Sequence, residues 1–242
     1  MAYNVKDKYF FKAKREGYRA RSALKLYEIM EKYPKFLHRE DNVLDVGACP
    51  GSFMQVVLKN KAIDAVLVGV DRNPIDPFED YSNVFTFEQD ILEPGFDEQL
   101  EEIGIEGQFD TIISDLAPNT SGIKDVDQMR SIELDEMVLG IAEKYLKKKG
   151  NLLLKILVGD DFQEFLKDLK KKFYIVKPFI PKSTRDSSSE QYLVCFGYGD
   201  KPKVKPGFQG DNPKMKKKDI KKMNRKLSNR PNSKKKKKKG KK

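Results

Sequence analysis

Short apolar runs alternate with longer amphipathic stretches along most of the chain, and this alternation predicts its secondary structure. The apolar runs are rich in Val, Ile, Leu and Phe and have the length of strands; they lie at 42–47, 65–71, 84–90, 109–116, 151–157, 173–180 and 191–198. The amphipathic stretches have the period of helices; they lie at 17–33, 51–60, 97–104, about 126–148 and 160–172.

Strands that alternate with helices predict βαβ units, which build a parallel sheet through right-handed crossovers. We therefore expect a Rossmann-like α/β fold with a mostly parallel seven-stranded sheet and helices on both faces. The runs 173–180 and 191–198 have no helix between them, which predicts an antiparallel hairpin at one end of the sheet. Gly150 is expected to end the long helix, and Asp160 to cap the next one.

Charge divides the chain into parts. The whole sequence carries a net charge of +11, but residues 201–242 hold 20 Lys/Arg against two Asp. We expect a domain at 1–200, with a basic N-terminal segment at 1–40, and a polybasic tail at 201–242 that is disordered when free. Basic ends around an acidic middle indicate an anionic partner such as RNA. A solvated surface without a partner is the alternative, above all for segment 1–40.

The sequence offers few residues for metal or disulfide chemistry. Two cysteines, Cys49 and Cys195, and one histidine, His38, provide neither a disulfide framework nor a metal-ligand cluster. No apolar run approaches the ~18 residues of a membrane span. We expect a soluble, cytoplasmic and monomeric protein that uses no metal and has no membrane partner.

The segment "VLDVGACPGSF" at 43–53 predicts a ligand-binding turn between a strand and a helix. Gly47 permits a tight turn, and Gly51 opens the helix where N–H groups can meet a polar ligand. Asp71 ends the second strand, where a carboxylate can accept hydrogen bonds from ribose hydroxyls. Asp90 ends the third, within reach of an adenine amino group. Such a ligand would lie across the carboxyl ends of the strands.

Both NAD and S-adenosylmethionine satisfy these features so far. The dinucleotide fingerprint needs a glycine two positions after the first, so that the backbone can approach a pyrophosphate. Cys49 occupies that position, and Pro50 after it has no N–H to donate. The loop therefore favours S-adenosylmethionine over NAD, although a βα turn without any cofactor stays possible.

Four charged residues stand at positions where a second site could form. Asp115 follows the fourth strand in "SDLAPN", and Lys155 interrupts the apolar run "NLLLKIL". Glu190 begins the last strand, and Lys25 lies in the basic helix-like stretch 17–33. A buried lysine needs a partner or a use, because its desolvation is costly. Two carboxylates and two ammonium groups sum to zero charge, so the site can be partly buried.

At these residues the chain resembles the RrmJ/FtsJ family of RNA ribose 2′-O-methyltransferases. The resemblance covers about 10–200 and is carried by "RARSALKL", "DVGACPG", "SDLAPN", "LKI" and the Ser-rich segment before Glu190. It implies a class I S-adenosylmethionine-dependent methyltransferase fold. The family's catalytic tetrad falls on Lys25, Asp115, Lys155 and Glu190. The cofactor contacts fall on Gly51, Phe53, Asp71, Asp90 and Asp115.

The resemblance also implies a substrate. Its bacterial members methylate a uridine ribose in large-subunit ribosomal RNA, which makes that RNA or the large ribosomal subunit the expected partner. Arg19, Arg21 and Arg185 are expected to contact phosphates, and the tail to tether RNA. Three alternatives remain: a tRNA ribose methyltransferase of the same family, a nicotinamide-dependent dehydrogenase, and a non-catalytic ribosome-assembly factor.

Overall fold

The alternating segments form a single sheet between two layers of helices in the computed structural model. The structure describes residues 7–61, 64–105, 108–118, 121–159, 161–185 and 188–200, so Asp160 and the tail at 201–242 lie outside it. The helices are α1 Lys8–Arg15, α2 Ala23–Lys32, α3 Ser52–Lys61, α4 Phe96–Glu102, α5 Lys124–Tyr145 and α6 Phe162–Lys172. The strands are β1 Val43–Val46, β2 Leu67–Asp71, β3 Val84–Glu88, β4 Phe109–Ser114, β5 Leu146–Leu157, β6 Phe173–Phe179 and β7 Glu190–Tyr198.

The strand order confirms the predicted Rossmann-like architecture. The sheet has seven strands in the order β3-β2-β1-β4-β5-β7-β6. Neighbouring strands from β3 to β5 pair in parallel, whereas β7 pairs antiparallel with both β5 and β6. The predicted hairpin of the last two strands is present, with β7 inserted between β5 and β6. The order of the strands therefore reverses after β3: β2 and β3 lie on one side of β1, and β4 and β5 lie on the other. At this switch point the carboxyl ends of β1 and β4 lie beside each other and open a crevice.

The two faces of the sheet bury separate clusters of apolar side chains. α2 and α3 cover one face, where Leu26, Ile29 and Met54 are buried against the sheet. α4, α5 and α6 cover the other, where Phe96 and Leu169 are buried. Helices on both faces explain why the central strands read as continuous apolar runs. Among the described residues, no helix has both the length and the apolar character to cross a membrane.

The N-terminal helical region differs from the sequence prediction. The stretch expected as one helix at 17–33 is helical only from Ala23. Gly17 has a positive φ of 74°, which a right-handed helix does not allow, and the backbone N–H of Arg19 donates to the side chain of Gln55 at 2.7 Å. An unpredicted helix, α1, precedes it. Its N-cap is Asp7, whose Oδ1 accepts from the N–H groups of Tyr9 and Phe10. That cap was the available signal, since Asp is a preferred N-cap residue.

The start of β5 is a second correction. Residues up to 148 were expected to continue the long helix and Gly150 to end it, but α5 ends at Tyr145 and β5 begins at Leu146. The pairing register with β4 shifts here, and Lys149 has a positive φ of 68°. A Cβ on Gly150 would lie 2.8 Å from the carbonyl oxygen of Asp110. Gly150 therefore permits a close approach of backbones inside the sheet, which helical periodicity does not reveal.

Candidate active site

The four charged residues that the sequence singled out meet at the carboxyl edge of the sheet and form two ion pairs. The Lys155 ammonium lies 2.8 Å from Asp115 Oδ1 and also donates to the main-chain oxygen of Asp115. The Lys25 ammonium lies 2.5 Å from Glu190 Oε1. All four side chains are at most 19% exposed. Pairing explains how charges can be held in a largely apolar wall.

Tyr192 joins these charges and was not foreseen from the sequence. It pairs in register with Lys155 across β5 and β7, and its hydroxyl donates to Asp115 Oδ1 at 2.5 Å. Lys25 lies over its ring, 5.9 Å from the centroid. The only signal in the chain was its position two residues after Glu190, on the same face of a strand. Tyr192 thus contacts a residue of each ion pair.

The protonation states follow from these contacts. Burial alone would raise the pKa of Asp115, but the charges of Lys155 and Lys25, with hydrogen bonds from Lys155 and Tyr192, hold that pKa below its ordinary value. Burial and the neighbouring carboxylates of Asp115 and Glu190 raise the pKa of Tyr192 well above its ordinary value. Near neutral pH, Asp115 is therefore an acceptor and Tyr192 a donor.

The turn after β1 has the close approaches that a ligand-binding loop requires. Gly47 and Gly51 both adopt positive φ, at 76° and 93°. A Cβ on Gly47 would come within 2.2 Å of the Leu116 side chain, and one on Gly51 within 2.4 Å of Arg19. The positive φ favours glycine at both positions, as expected at Gly47 for a tight turn.

The two acidic strand ends are oriented by neighbours. Asp71 accepts from the N–H of Cys49 at 3.0 Å and from the N–H of Asn73 at 2.8 Å, so its carboxylate is fixed against the turn. A hydrogen bond from the N–H of Leu92, together with the Arg72 guanidinium, holds the pKa of Asp90 below its ordinary value, although burial opposes this. The predicted cofactor contacts of Asp71 and Asp90 stay predictions, and both carboxylates stand at the predicted edge.

The Phe53 side chain is not exposed at the edge where the cofactor is expected. Its side chain is buried, and its ring lies 6.4 Å from that of Tyr192. The first N–H groups of a helix have no intrahelical partners, and Phe53 is the second residue of α3. The cofactor contact predicted for Phe53 would therefore use its main chain, while its ring supports Tyr192 from behind.

One buried carboxyl group at this edge accepts no hydrogen bond from the residues that the structure describes. Asp45 on β1 is 1% exposed, and no described residue hydrogen-bonds to either of its side-chain oxygens. Burial raises the pKa of Asp45 well above its ordinary value, and the charges of Asp115 and Asp71 add to this effect. Buried polar groups are normally satisfied, so Asp45 indicates a polar ligand at this edge. The sequence signal for this residue is an acid within the apolar run "VLDV".

The three arginines predicted to contact phosphates are engaged within the protein. Arg19 donates to the carbonyl oxygens of Pro50, Asp76 and Pro77 at 2.7–3.1 Å and lies over the Phe78 ring. Arg21 donates to Asp7 and to the Ser183 carbonyl oxygen. Arg185 lies 3.6 Å from Asp7. Arg19 thus closes the turn that contains Pro50. The phosphate contacts stay a prediction and would compete with these bonds.

A chain of hydrogen-bonded groups near Lys155 was not predicted from the sequence. The N–H of Leu157 donates to Ser131 Oγ at 3.0 Å, and the Ser131 hydroxyl lies 3.4 Å from Asp135 Oδ2. Asp135 is 3% exposed. Burial raises its pKa to about 8, while the Ser131 hydrogen bond and the Lys155 charge oppose the rise. The chain connects α5 to the end of β5.

We expect Asp135→Asn to stabilise the fold increasingly as pH rises from about 5 to about 8. The folded pKa of about 8 exceeds the ordinary value of 3.8, so the folded wild type binds more protons and loses stability over this window. The slope is at most ~1.4 kcal/mol per pH unit. Denaturant unfolding of both proteins across this range measures it. Asp168→Asn is the control, because the Asp168 carboxylate pairs with Lys171 at the surface. If the difference in stability between wild type and Asp135→Asn does not change with pH, the buried Asp135 carboxyl is not neutral.

Within the part of the chain that the structure describes, no three or more His, Cys, Asp and Glu side chains are grouped so that they could hold a metal ion.

The fold and the edge together define a class: an α/β protein with a glycine-containing turn after β1 and two ion pairs around the ends of β4 and β5. Comparison with known proteins narrows the class. Residues 18–198 match the family model described as FtsJ-like methyltransferase. The chain therefore belongs to the FtsJ-like methyltransferase family and is a methyltransferase.

Relatives and solved structures agree with this assignment. The chain is 41% identical over 190 residues to a protein of Methanospirillum hungatei named ribosomal RNA large subunit methyltransferase E, covering 78% of this chain and 88% of that relative. A protein of the same name from Bdellovibrio bacteriovorus is 39% identical over 194 residues, covering 80% and 97%. A crystal structure of a putative ribosomal RNA methyltransferase from Plasmodium falciparum superposes with a TM-score of 0.66 at 31% identity, covering 75% of this chain and 98% of that one.

Proposed function

We propose that this protein transfers a methyl group from S-adenosylmethionine to the 2′-hydroxyl of a ribose, that of a uridine, in large-subunit ribosomal RNA. The observation that carries the proposal is the pair of adjacent ion pairs, Lys155–Asp115 and Lys25–Glu190, at the edge that also holds the unpartnered Asp45. The relatives are named as methyltransferases of large-subunit ribosomal RNA, and these names support ribosomal RNA as the substrate class.

The residues at the edge fit the proposed cofactor. Asp71 would accept from its ribose hydroxyls and Asp90 from its adenine amino group. Main-chain groups of Gly47 and Gly51 would border it. When bound, S-adenosylmethionine supplies an electrophilic methyl group. Its ammonium end would donate to the Asp45 side chain, whose oxygens accept no hydrogen bond from the described residues.

Lys155 is placed to hold the acceptor hydroxyl. An ammonium group has three N–H donors, and Asp115 takes two of them, through its side chain and its main-chain oxygen. The third can hold the ribose 2′-oxygen in position for attack. Alternatively, a Lys155 amine that has lost its proton takes the hydroxyl proton as a general base.

Lys25 and Glu190 would orient the same ribose from the opposite side. The Glu190 carboxylate keeps acceptor capacity beyond its bond to Lys25, so it can accept from a sugar hydroxyl. Tyr192 holds Asp115, and through it Lys155. Alignment of the acceptor oxygen with the methyl group is the main contribution that such positioning makes to a displacement.

The proposal predicts ribose-specific methylation of unmodified RNA. The purified protein, incubated with labelled S-adenosylmethionine and transcribed large-subunit ribosomal RNA of the same organism, should make one phosphodiester bond resistant to alkaline cleavage. Resistance arises because the methylated 2′-oxygen can no longer attack the adjacent phosphate. Transcribed tRNA is the control substrate. Methyl groups found only on bases, or only on tRNA, would contradict the proposal.

A further inference from the structure

A cavity of about 480 Å³ opens beside the Lys25–Glu190 pair and has no role in the chemistry described above. Its wall includes Val158, Ile180, Pro181, Ser188, Ser189 and Glu190. Because Glu190 belongs both to this wall and to the ion pair with Lys25, the cavity adjoins the place where the acceptor ribose would lie. Its volume falls within the ~300–1,000 Å³ typical of small-molecule sites.

Two aliphatic side chains of the cavity wall are exposed to solvent. Ile180 is 63% exposed and Val158 is 36% exposed, although both are large aliphatic residues. They come from different elements, since Val158 follows β5 and Ile180 follows β6. Two exposed aliphatic side chains on the wall of one cavity, next to a polar site, provide a surface for a flat apolar group.

The polar part of the wall complements the edge of such a group. Ser188 and Ser189 bring backbone groups and hydroxyls, which can donate and accept. Lys182 and Arg185 also belong to the wall and add positive charge. A nucleobase has apolar faces, a hydrogen-bonding edge and attached phosphates, so this combination suits an unstacked base of single-stranded RNA.

Backbone and carboxylate contacts hold the cavity wall in shape. The Glu28 carboxylate of α2 accepts from the N–H groups of Lys182 and Ser183. The N–H of Val158 donates to the carbonyl oxygen of Ser189 at 3.0 Å, which joins the two sides of the wall. A preformed wall binds with a smaller loss of conformational entropy than a wall that must order on binding.

We infer that this cavity binds the base of the nucleotide whose ribose is methylated, with Ile180 and Val158 against its face and Ser188 and Ser189 at its edge. The inference rests on the proposed function and deepens it by naming where the acceptor base is recognised. The base is bonded to the carbon next to the one that bears the acceptor hydroxyl, and Glu190 correspondingly belongs both to the ion pair and to the cavity wall.

Replacement of Ile180 tests the subsite, because it should change the KM for RNA and leave kcat and cofactor affinity unchanged. Ile180→Ser should raise the KM for transcribed large-subunit ribosomal RNA roughly fivefold or more, with kcat and the Kd of S-adenosylmethionine within about twofold of wild type. Ile175→Ser is the matched control, because Ile175 is 38% exposed and lies on β6 about 16 Å away along an extended chain. Equal effects of the two variants on the KM would overturn the subsite.

Photocrosslinking gives a second measurement that does not depend on a variant. The same transcript, substituted with 4-thiouridine and irradiated with the wild-type protein and S-adenosylhomocysteine, should form a crosslink within residues 180–189. Crosslinks confined to other peptides overturn the subsite. A wild type that methylates ribose while Ile180→Ser stays normal refutes the subsite alone. A wild type that crosslinks here but leaves every ribose unmethylated refutes the proposed function alone.

Discussion

Lys155→Met should lower the rate of methyl transfer by a factor of about 10³. Lys155 can hold the acceptor oxygen as an ammonium or take its proton as a neutral amine, and both roles act in the transition state. Methionine keeps most of the aliphatic stem, so packing in β5 is retained. The Kd of S-adenosylmethionine should change only a few-fold, because the work proposed for Lys155 is done in the transition state. Single-turnover methylation and calorimetry measure the two quantities.

Lys147→Met is the control for Lys155→Met. Lys147 lies on the same strand, and its amine also pairs with an aspartate, Asp110, at 2.9 Å, but its side chain is 39% exposed. It should methylate like wild type. Thermal unfolding of Lys155→Met checks that loss of the Asp115 partner leaves the protein folded. Near-wild-type turnover of a folded Lys155→Met would refute the role assigned to the ion pair.

Asp71→Asn should weaken S-adenosylmethionine binding by about 1.5–3 kcal/mol, roughly 10- to 150-fold, because a charge-assisted hydrogen bond to a ribose hydroxyl is lost. The amide keeps one oxygen for the N–H of Asn73, which limits damage to the turn. Asp64→Asn is the control: it removes the same charge from an exposed pair with Arg39. Calorimetric titration of each variant gives the affinity, and an unchanged Kd for Asp71→Asn would place the cofactor ribose elsewhere.

Local sequence patterns were sufficient for the architecture. Continuous apolar runs with helices between them predicted the parallel sheet, because both faces of such a sheet must be covered. The same patterns failed at Lys149 and Gly150, where the chain enters β5 directly from α5. The reason is that a strand start is decided by pairing with β4, and the pairing partner is distant in sequence.

The charged site shows the same division. That Lys155 needed a partner followed from its apolar neighbours alone, since desolvation of a lone ammonium is costly whatever the fold. Only the fold showed that Tyr192 shares that partner through Asp115, because the register of β5 with β7 sets those contacts. Likewise, the sequence does not distinguish Asp45 and Asp135 from other acids. Their raised pKa values arise because other elements of the fold bury them.

For the three arginines, the sequence determined the charge and the tertiary structure decided the contacts. The sequence determined that the N-terminal segment is basic and that charge is concentrated at the two ends of the chain. Tertiary structure decided that Arg19 closes the turn at Pro50, and that Arg21 and Arg185 converge on Asp7. A side chain's charge is a local property, whereas its hydrogen-bond partners depend on which distant segments the packing of the sheet and helices brings within 3–4 Å.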